Sequence, residues 1–327
     1  MYDVAEKAKV SIATVSRVLN NQTNVAPDTR ERVIEALKEL NFIPNAAAQG
    51  LVSKTSKTVG ILTFNIKVPH YAATAYAIER ELFKRNFNAI LCNTGGLTEA
   101  NIRYIRMLAS KDVSGIICIG SVFSNTIINS SILSDFTNIP FVLTNCKVDA
   151  ANASCVLIDE QFGMNLAVSH LLEKGRRNLL YIKDADTYSG IQKRLGFLSA
   201  AQTHGLCADE SCIFEAERGL DGGREVMARI IQSCKNYDGL IFGDDLTAIG
   251  GTKYLQEHGY SIPDDVAIIG CNNSVMAQCS TPTITSIDYK LDLIGKLSVT
   301  MLETILNGDT VNHIVTLTPD LIVRNST

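Results

Sequence analysis

No apolar stretch in this chain approaches the roughly 20 residues that a helix needs to cross a bilayer. The opening Met1-Tyr-Asp-Val-Ala5 lacks the basic-then-apolar pattern of a secretory leader, so a soluble, cytoplasmic protein is expected. Nine cysteines are scattered without a single CxxC pair, several of them inside apolar runs such as Gly115-Ile-Ile-Cys-Ile119. That spacing suits buried, reduced thiols and argues against a disulfide framework or a clustered zinc site. His70, His170, His204, His258 and His313 lie in different units, with no metal-ligand spacing between any two. No GxGxxG or phosphate-loop string occurs, and Asn93-Thr-Gly-Gly96 reads as a strand-to-helix turn. Asp244-Asp245 and Asp264-Asp265 are paired carboxylates, but neither pair has an evident base, nucleophile or metal partner. The expectation is no catalytic residue, no metal and no cofactor.

What is present is globular: 46% of the 327 residues are hydrophobic and 20% are charged. The length suits two or three domains. The net charge of −4 argues against a protein that coats nucleic acid by bulk electrostatics. Lys and Arg outnumber Asp and Glu 8 to 6 over residues 1–58, giving +2 there and −6 on the remainder. A small anion-binding module on a larger acidic body is allowed by that asymmetry, which is too modest to decide anything alone.

Three helical patterns fill the first forty residues. Asp3–Lys9 carries Val4, Ala5 and Ala8 on one face, and Val10 breaks it. Ser11 is a good N-cap for Ile12–Leu19, in which Val15, Val18 and Leu19 form an inward stripe at i, i+3, i+4. A third helix runs from Pro27 to Leu40 with Val33, Ala36, Leu37 and Leu40 inward. Two short helices joined by a tight turn and braced by a third form the helix-turn-helix arrangement. The outer face of the second helix suits duplex DNA. Ala13 and Ser16 are small enough for close approach, Arg17 can fork onto guanine O6 and N7, and Ile12 can meet a thymine methyl. Tyr2, Thr14, Ser16, Asn20 and Thr29 offer donors to phosphates. By pattern alone, a small bundle with a solvated Arg17 fits equally well.

Resemblance separates the two. Tyr2-Asp-Val-Ala-Glu-Lys-Ala8, Val10-Ser-Ile-Ala-Thr-Val-Ser-Arg-Val-Leu-Asn20, Thr29-Arg-Glu-Arg-Val33 and Leu40-Asn-Phe-Ile-Pro-Asn45 closely resemble the LacI/GalR family of bacterial repressors. The resemblance implies that Ile12, Ala13 and Arg17 read bases, and that Thr14, Ser16 and Asn20, with Tyr2, Ser11 and Thr29, hold the backbone. Members usually have a few residues ahead of Tyr2.

Asn45-Ala-Ala-Ala-Gln-Gly-Leu-Val-Ser53 is a short helical pattern capped by Asn45, too short to be stably helical alone in water. The polar Ser53-Lys-Thr-Ser-Lys-Thr58 then reads as a linker. Ala48-Gln-Gly-Leu51 is similar to the family's hinge helix, which implies that Leu51 wedges into the minor groove while Asn45, Ala48 and Gln49 flank it. Gln49 stands where many relatives have arginine.

From Val59 onward, apolar strand patterns (59–64, 89–93, 115–119, 141–145, 179–183, 239–243 and 266–271) alternate with amphipathic helices (71–85, 162–174, 192–204 and 246–258). That alternation implies parallel sheets buried on both faces and divided into two lobes near Asp159-Glu160. A cleft at the strand C-termini is the expected ligand site. Val156-Leu-Ile-Asp-Glu160, His170-Leu-Leu-Glu-Lys-Gly175, Arg194-Leu-Gly-Phe197, Ile262-Pro-Asp-Asp-Val-Ala-Ile-Ile-Gly270 and Leu321-Ile-Val-Arg-Asn-Ser-Thr327 extend the resemblance, which implies a periplasmic-binding-protein fold. It places Tyr71, Asn145, Tyr188, Arg194, Asp244, Asn272 and Tyr289 at the effector positions, with Arg194 the foremost because its fork of donors suits carboxylate, phosphate or vicinal hydroxyls. Sugar-binding relatives carry Asn then Asp where this chain has Asp244 and Asn272.

The expected fold is therefore an N-terminal all-α helix-turn-helix domain on an α/β periplasmic-binding-protein-like body of two doubly wound parallel-sheet lobes. Expected boundaries are 1–44 for the DNA-binding domain, 45–58 for hinge and linker, and 59–327 for the body. The lobes span roughly 59–159 and 160–288, with the C-terminal segment crossing between them. The expected function is a homodimeric transcription regulator, a repressor, that binds a palindromic operator in double-stranded DNA. Its expected controller is a small-molecule effector, a sugar or sugar derivative. A protein co-regulator in place of the metabolite, or a soluble ligand-binding protein, are the alternatives.

Overall fold

The computed structural model describes residues 1–19, 22, 24–42, 56–124, 132–206, 209–233 and 236–327. The chain separates into two compact units, Met1–Ser56 and Lys57–Thr327.

In the first unit, α1 (Tyr2–Ala8) stops where Lys9 turns left-handed at φ 54°, its N–H returning to the carbonyls of Ala5 and Glu6. The chain re-enters a helix at α2 (Ile12–Leu19) because Ser11 Oγ accepts the Thr14 N–H at 3.2 Å, one of the donors a helix start leaves without a partner. Helix α3 (Pro27–Glu39) begins on proline, whose missing N–H costs nothing there. Val4, Ala5, Ala8, Val15, Val18, Val33 and Ala36 form the buried core. All are Val or Ala, so the helices approach closely around a thin core. A Lys7–Glu39 ion pair adds a surface clamp between α1 and α3.

The second unit has two six-stranded sheets, each built of strands alternating with helices. The first contains β1 (Thr58–Thr63), β2 (Asn88–Asn93), β3 (Gly115–Ile119), β4 (Phe141–Thr144) and β5 (Ala153–Ile158), with α4 (Pro69–Lys84), α5 (Thr98–Ser110) and the short α6 (Leu133–Asp135) between them. The second follows α7 (Glu160–Glu173). It contains β6 (Leu179–Lys183), β7 (Ile213–Glu215), β8 (Gly239–Phe242), β9 (Ala267–Cys271) and β10 (Thr285–Asp288), alternating with α8 (Tyr188–Thr203), α9 (Leu220–Gln232), α10 (Asp245–Glu257) and α11 (Val275–Cys279). Helix α12 (Leu291–Leu306) then returns to pack on α4, β11 (Ile314–Leu317) joins the first sheet, and β12 (Asp320–Ile322) joins the second. The orders are β11-β5-β4-β3-β1-β2 and β12-β10-β9-β8-β6-β7. Every pairing is parallel except β10 with β12. Three connections therefore cross between the lobes, at 158–160, 288–291 and 317–320.

Strands β3, β4, β5, β8 and β9 are buried along their whole length, as expected for sheets covered on both faces. The register explains three of the thiols. Cys155, Leu143, Cys118, Leu62 and Cys92 are consecutive cross-strand partners and share one face of the first sheet. Successive cysteines in this row sit two strands apart, roughly 10 Å, which is beyond the reach of a disulfide. Small thiols alternate with bulky leucines along the row, and these five side chains belong to one buried cluster.

Candidate functional site

The outward face of α2 is laid out as the inward stripe requires. With Val15 and Val18 buried, Ser11, Ala13 and Arg17 are exposed, Ile12 is 37% exposed, and Thr14 and Ser16 are half-buried. Ser11 Oγ and Thr14 Oγ1 lie 2.9 Å apart at the helix start. Tyr2 is 77% exposed at the start of α1. Thr29 is half-buried and accepts from Arg32 Nη2 at 3.3 Å. Arg30 donates to the carbonyl of Gln22 and so ties α3 to the turn before it. One rigid surface thus presents small residues, one guanidinium and several hydroxyls, the chemistry that base edges and phosphates require. Asn20, Asn45, Ala48, Gln49 and Leu51 lie outside the described residues.

In the second unit the carboxyl ends of both sheets converge on a cleft that is partly open to solvent. The first lobe supplies His70 and Tyr71 from the start of α4, Gly120 and Ser121 after β3, and Asn145 after β4. The second supplies Ser189 and Lys193 from α8, Arg218 before α9, and Asn272 after β9, while Tyr289 enters from a crossing connection. Asn145 and Asn272 adopt positive φ, 50° and 94°, which asparagine tolerates better than other side chains and which a binding site can hold in place. Gly120 is required here. Its φ is 107°, and a Cβ would fall 2.4 Å from the Tyr71 ring.

Several contacts already cross the cleft. Asn145 Nδ2 donates to Glu160 Oε1 at 2.8 Å, and Ser121 Oγ donates to Thr187 Oγ1 at 2.8 Å. His70 Nδ1 lies 3.7 Å from Asp244 Oδ2. Asp244 caps α10 through the Leu246 N–H (2.9 Å) and accepts from Asn272 Nδ2 (3.0 Å), so the two residues expected at the site form one unit. Burial, then the cations Arg218 and Lys193, lower the His70 imidazole below its usual value against the pull of Asp244; the ring is neutral at pH 7. Burial also works against the charge on Lys193, but Glu160, Cys271 and Asp184 outweigh it and raise the ammonium. Lys193 Nζ donates to the Gly243 carbonyl at 2.8 Å and lies 5.4 Å from the Tyr289 ring centre. Arg218 Nε donates to the buried Asp184 at 2.7 Å. Burial pushes the Tyr289 hydroxyl well above its usual range.

Tyr71, Asn145, Asn272 and Tyr289 therefore line the cleft, and Asp244 stands directly behind Asn272. Two expected residues do not line it. Arg194 points away, 34% exposed, with Nε 3.0 Å from Glu210 Oε2 in a surface ion pair. Tyr188 is half-buried and packs against the core of the first lobe. The physical reason is helical phase. The buried stripe of α8 runs through Ser189, Lys193, Gly196, Phe197 and Ala200, and each neighbouring position is rotated by about 100°. Lys193, Ser189, His70, Glu160 and Arg218 were not expected. The stripe that ends in Gly196, Phe197 and Ala200 points back to Lys193 by i−3 and i−4 spacing. Arg218 sits in a loop and has no periodic signal.

Among the described residues, no group of three His, Cys, Asp or Glu side chains is placed to hold a metal ion, and no helix is long and apolar enough to cross a membrane. A helix-turn-helix unit and a two-lobed body in one chain define the class of regulators with a binding-protein-like body. Residues 1–45 match the family of bacterial regulatory proteins, lacI family, and residues 168–327 match the periplasmic binding protein-like domain. An HTH-type transcriptional regulator of Lachnoclostridium phytofermentans is 35% identical over 100% of this chain and 99% of its own. The chain belongs to the lacI family of bacterial regulatory proteins. Among solved structures, a transcriptional regulator CelR–cellobiose complex matches with TM-score 0.76 and 26% identity, covering 99% of this chain and 98% of the other. The lac repressor dimer bound to operator and the anti-inducer ONPF matches with TM-score 0.89 and 24% identity over the same shares, a likeness of fold.

Proposed function

We propose that this protein is a cytoplasmic, homodimeric transcription regulator that binds a palindromic operator and answers to a small molecule in the cleft. The observation that carries the reading is α2. Its inner face is locked by Val15 and Val18, so Ala13 and Arg17 are held outward on a surface small enough to enter a major groove. Ile12, Ala13 and Arg17 read bases in this proposal, while Tyr2, Ser11, Thr14, Ser16, Thr29 and Asn20 hold phosphates. Residues 45–58 form the hinge and linker between the units, with Leu51 entering the minor groove beside Asn45, Ala48 and Gln49. Those assignments rest on the family resemblance.

Tyr71, Asn145, Asn272 and Tyr289 bind the effector, backed by Asp244. A sugar or sugar derivative is the proposed class, supported by the hydroxyl- and amide-rich wall and by the cellobiose complex of the related regulator. The protein is a binder and not an enzyme. Selection of bound duplex from random sequence, at one stated salt concentration, tests the reading. An inverted repeat is expected, and Arg17→Ala should lose about 1–3 kcal/mol of discrimination at one base pair per half-site. Equal loss on every sequence would remove Arg17 from base reading.

A further inference from the structure

Among the described residues that line the cleft, Lys193 and Arg218 carry full charge at pH 7, and both are cations. The carboxylates nearby stand behind the wall. The Asp184 side chain is 1% exposed against 26% for Arg218, and Glu160 and Asp244 are buried. Their oxygens serve the protein itself. Asp184 Oδ2 accepts from Arg218 Nε at 2.7 Å, Asp244 from Asn272 Nδ2 and the Leu246 N–H, and Glu160 Oε1 from Asn145 and Ser189.

The cations keep donors in reserve. A guanidinium has five N–H bonds and an ammonium three. Asp184 takes one from Arg218, and the Tyr71 hydroxyl, which burial pushes up and Arg218 pulls back down, takes at most one more. Lys193 gives one, to the Gly243 carbonyl at 2.8 Å. Asp184 also holds the guanidinium in one plane, and a fixed fork suits carboxylate or phosphate oxygens. An anion touching the remaining N–H bonds is nearer the cation than the carboxylate behind it, so attraction exceeds repulsion because both fall with distance. The two positive charges act on one space. After burial, Arg218 and then Lys193 hold the His70 imidazole of the facing lobe below its usual value. Beside them, Asn272 has Nδ2 committed to Asp244, which leaves Oδ1 to accept from a ligand hydroxyl.

Resting on the proposed effector site, we infer that the cleft takes a hydroxyl-bearing anion, a sugar acid or a sugar phosphate, whose charged oxygens are held by Arg218 and Lys193. Arg218 is the specificity-determining residue, and the hydroxyls of the same ligand meet Asn272.

The test is calorimetric titration of the full chain with matched triplets on two skeletons. Glucose, glucuronate and glucose 6-phosphate form one, and galactose, galacturonate and galactose 6-phosphate the other; within each, the two anions separate carboxylate from phosphate. Expected is that any skeleton that binds does so at least tenfold tighter in one of its anionic forms than in its neutral form. Equal or tighter binding of the neutral form overturns the inference and leaves effector control standing. No binding by any member overturns sugar-class control and this inference with it, while the duplex selection still judges DNA binding. Arg218→Gln should shrink the preference for the anion by tenfold or more. Arg218→Lys keeps a cation beside Asp184 but loses the fork, and should shrink it at least threefold. An unchanged preference in both variants takes the role from Arg218, and the triplets on the parent protein decide the charge rule even if a variant folds poorly.

Discussion

Lys193 and Arg194 are neighbours in sequence and opposites in energetic role, which makes the pair a sharp test of the cleft geometry. Lys193 is 4% exposed, and Glu160 and Asp184 are the buried carboxylates that its charge balances. Lys193→Met keeps most of the alkyl stem but removes the bond to the Gly243 carbonyl and leaves those buried carboxylates without that cation, a loss of about 3–5 kcal/mol on the scale of an uncompensated buried charge. Arg194→Ala removes an ion pair in which Glu210 is 60% exposed, worth about 0–1 kcal/mol. At roughly 2–4 °C per kcal/mol for a unit of this size, Lys193→Met should lower the melting temperature by about 6–20 °C and Arg194→Ala by less than about 4 °C. Thermal unfolding followed by circular dichroism at pH 7 reads both. Calorimetry with whichever sugar binds should show affinity falling at least tenfold for Lys193→Met and less than twofold for Arg194→Ala. A Lys193→Met protein within 2 °C of the parent, or an Arg194→Ala protein that no longer binds the sugar, would falsify the placement of α8.

The remaining predictions concern buried titrating groups. Burial pushes the Cys118 thiol up to about 12, whereas Cys279 is exposed, so iodoacetamide at pH 8 should label Cys279 and leave Cys118 untouched; comparable rates by peptide mapping contradict the buried row. Burial, with Asp244 adding to it, raises Asp245 to about 7, and both its oxygens accept hydrogen bonds, from Ser286 Oγ and the Ser274 N–H, each at 2.6 Å. The folded state therefore holds a proton that the unfolded chain releases near pH 4, so this contribution is full below about pH 4 and is lost as pH rises through 7. Asp245→Asn should flatten the parent's fall in melting temperature between pH 5 and pH 8, by an amount equivalent to a few kcal/mol at most. Parallel profiles for the two proteins exclude the shift.

Periodicity in the sequence is enough to place the helices of the first unit to within a residue, because Val15 and Val18 leave α2 only one way to face. The long buried strands are legible for the same reason: β3 and β9 are apolar runs bounded by turns. Strands β7, β10, β11 and β12 are three or four residues long, too short to carry a period, and partners distant in sequence select them. Helices α5, α9 and α12 were not anticipated. In α12 the buried Ile294, Gly295, Ser298, Val299 and Leu302 mix polar and apolar types, which blurs the stripe. Of the positions expected to bind effector, Asn145 and Asn272 line the cleft and Asp244 backs Asn272, because a strand terminus fixes location. Tyr188 and Arg194 lie outside the cleft lining, because on a helix one residue of offset turns a side chain by about 100°. Glu160 was visible only as part of a family string. Its role depends on Asn145 and Ser189 meeting it from two other elements, and spacing along the chain does not encode that meeting.

The placement of Glu160 and Tyr289 also says how occupancy reaches the rest of the chain. Glu160 follows the first crossing connection and Tyr289 lies within the second, so these two neighbours sit where the two lobes are joined. A ligand shifts the balance between lobe arrangements only by binding one better than the other. Moving a two-state balance from 1:99 to 99:1 takes about 5.5 kcal/mol of differential affinity. A hydrogen bond to a charged group contributes about 1.5–3 kcal/mol, so two or three such bonds made in one arrangement alone suffice. Direction then depends on which bonds survive. A ligand that keeps the Asn145–Glu160 bond adds to closure, whereas one whose donors displace Asn145 from Oε1 or Ser121 from Thr187 must first repay those cross-lobe contacts. Two ligands that differ in the position of a single donor can therefore drive the lobes in opposite directions through the same cleft.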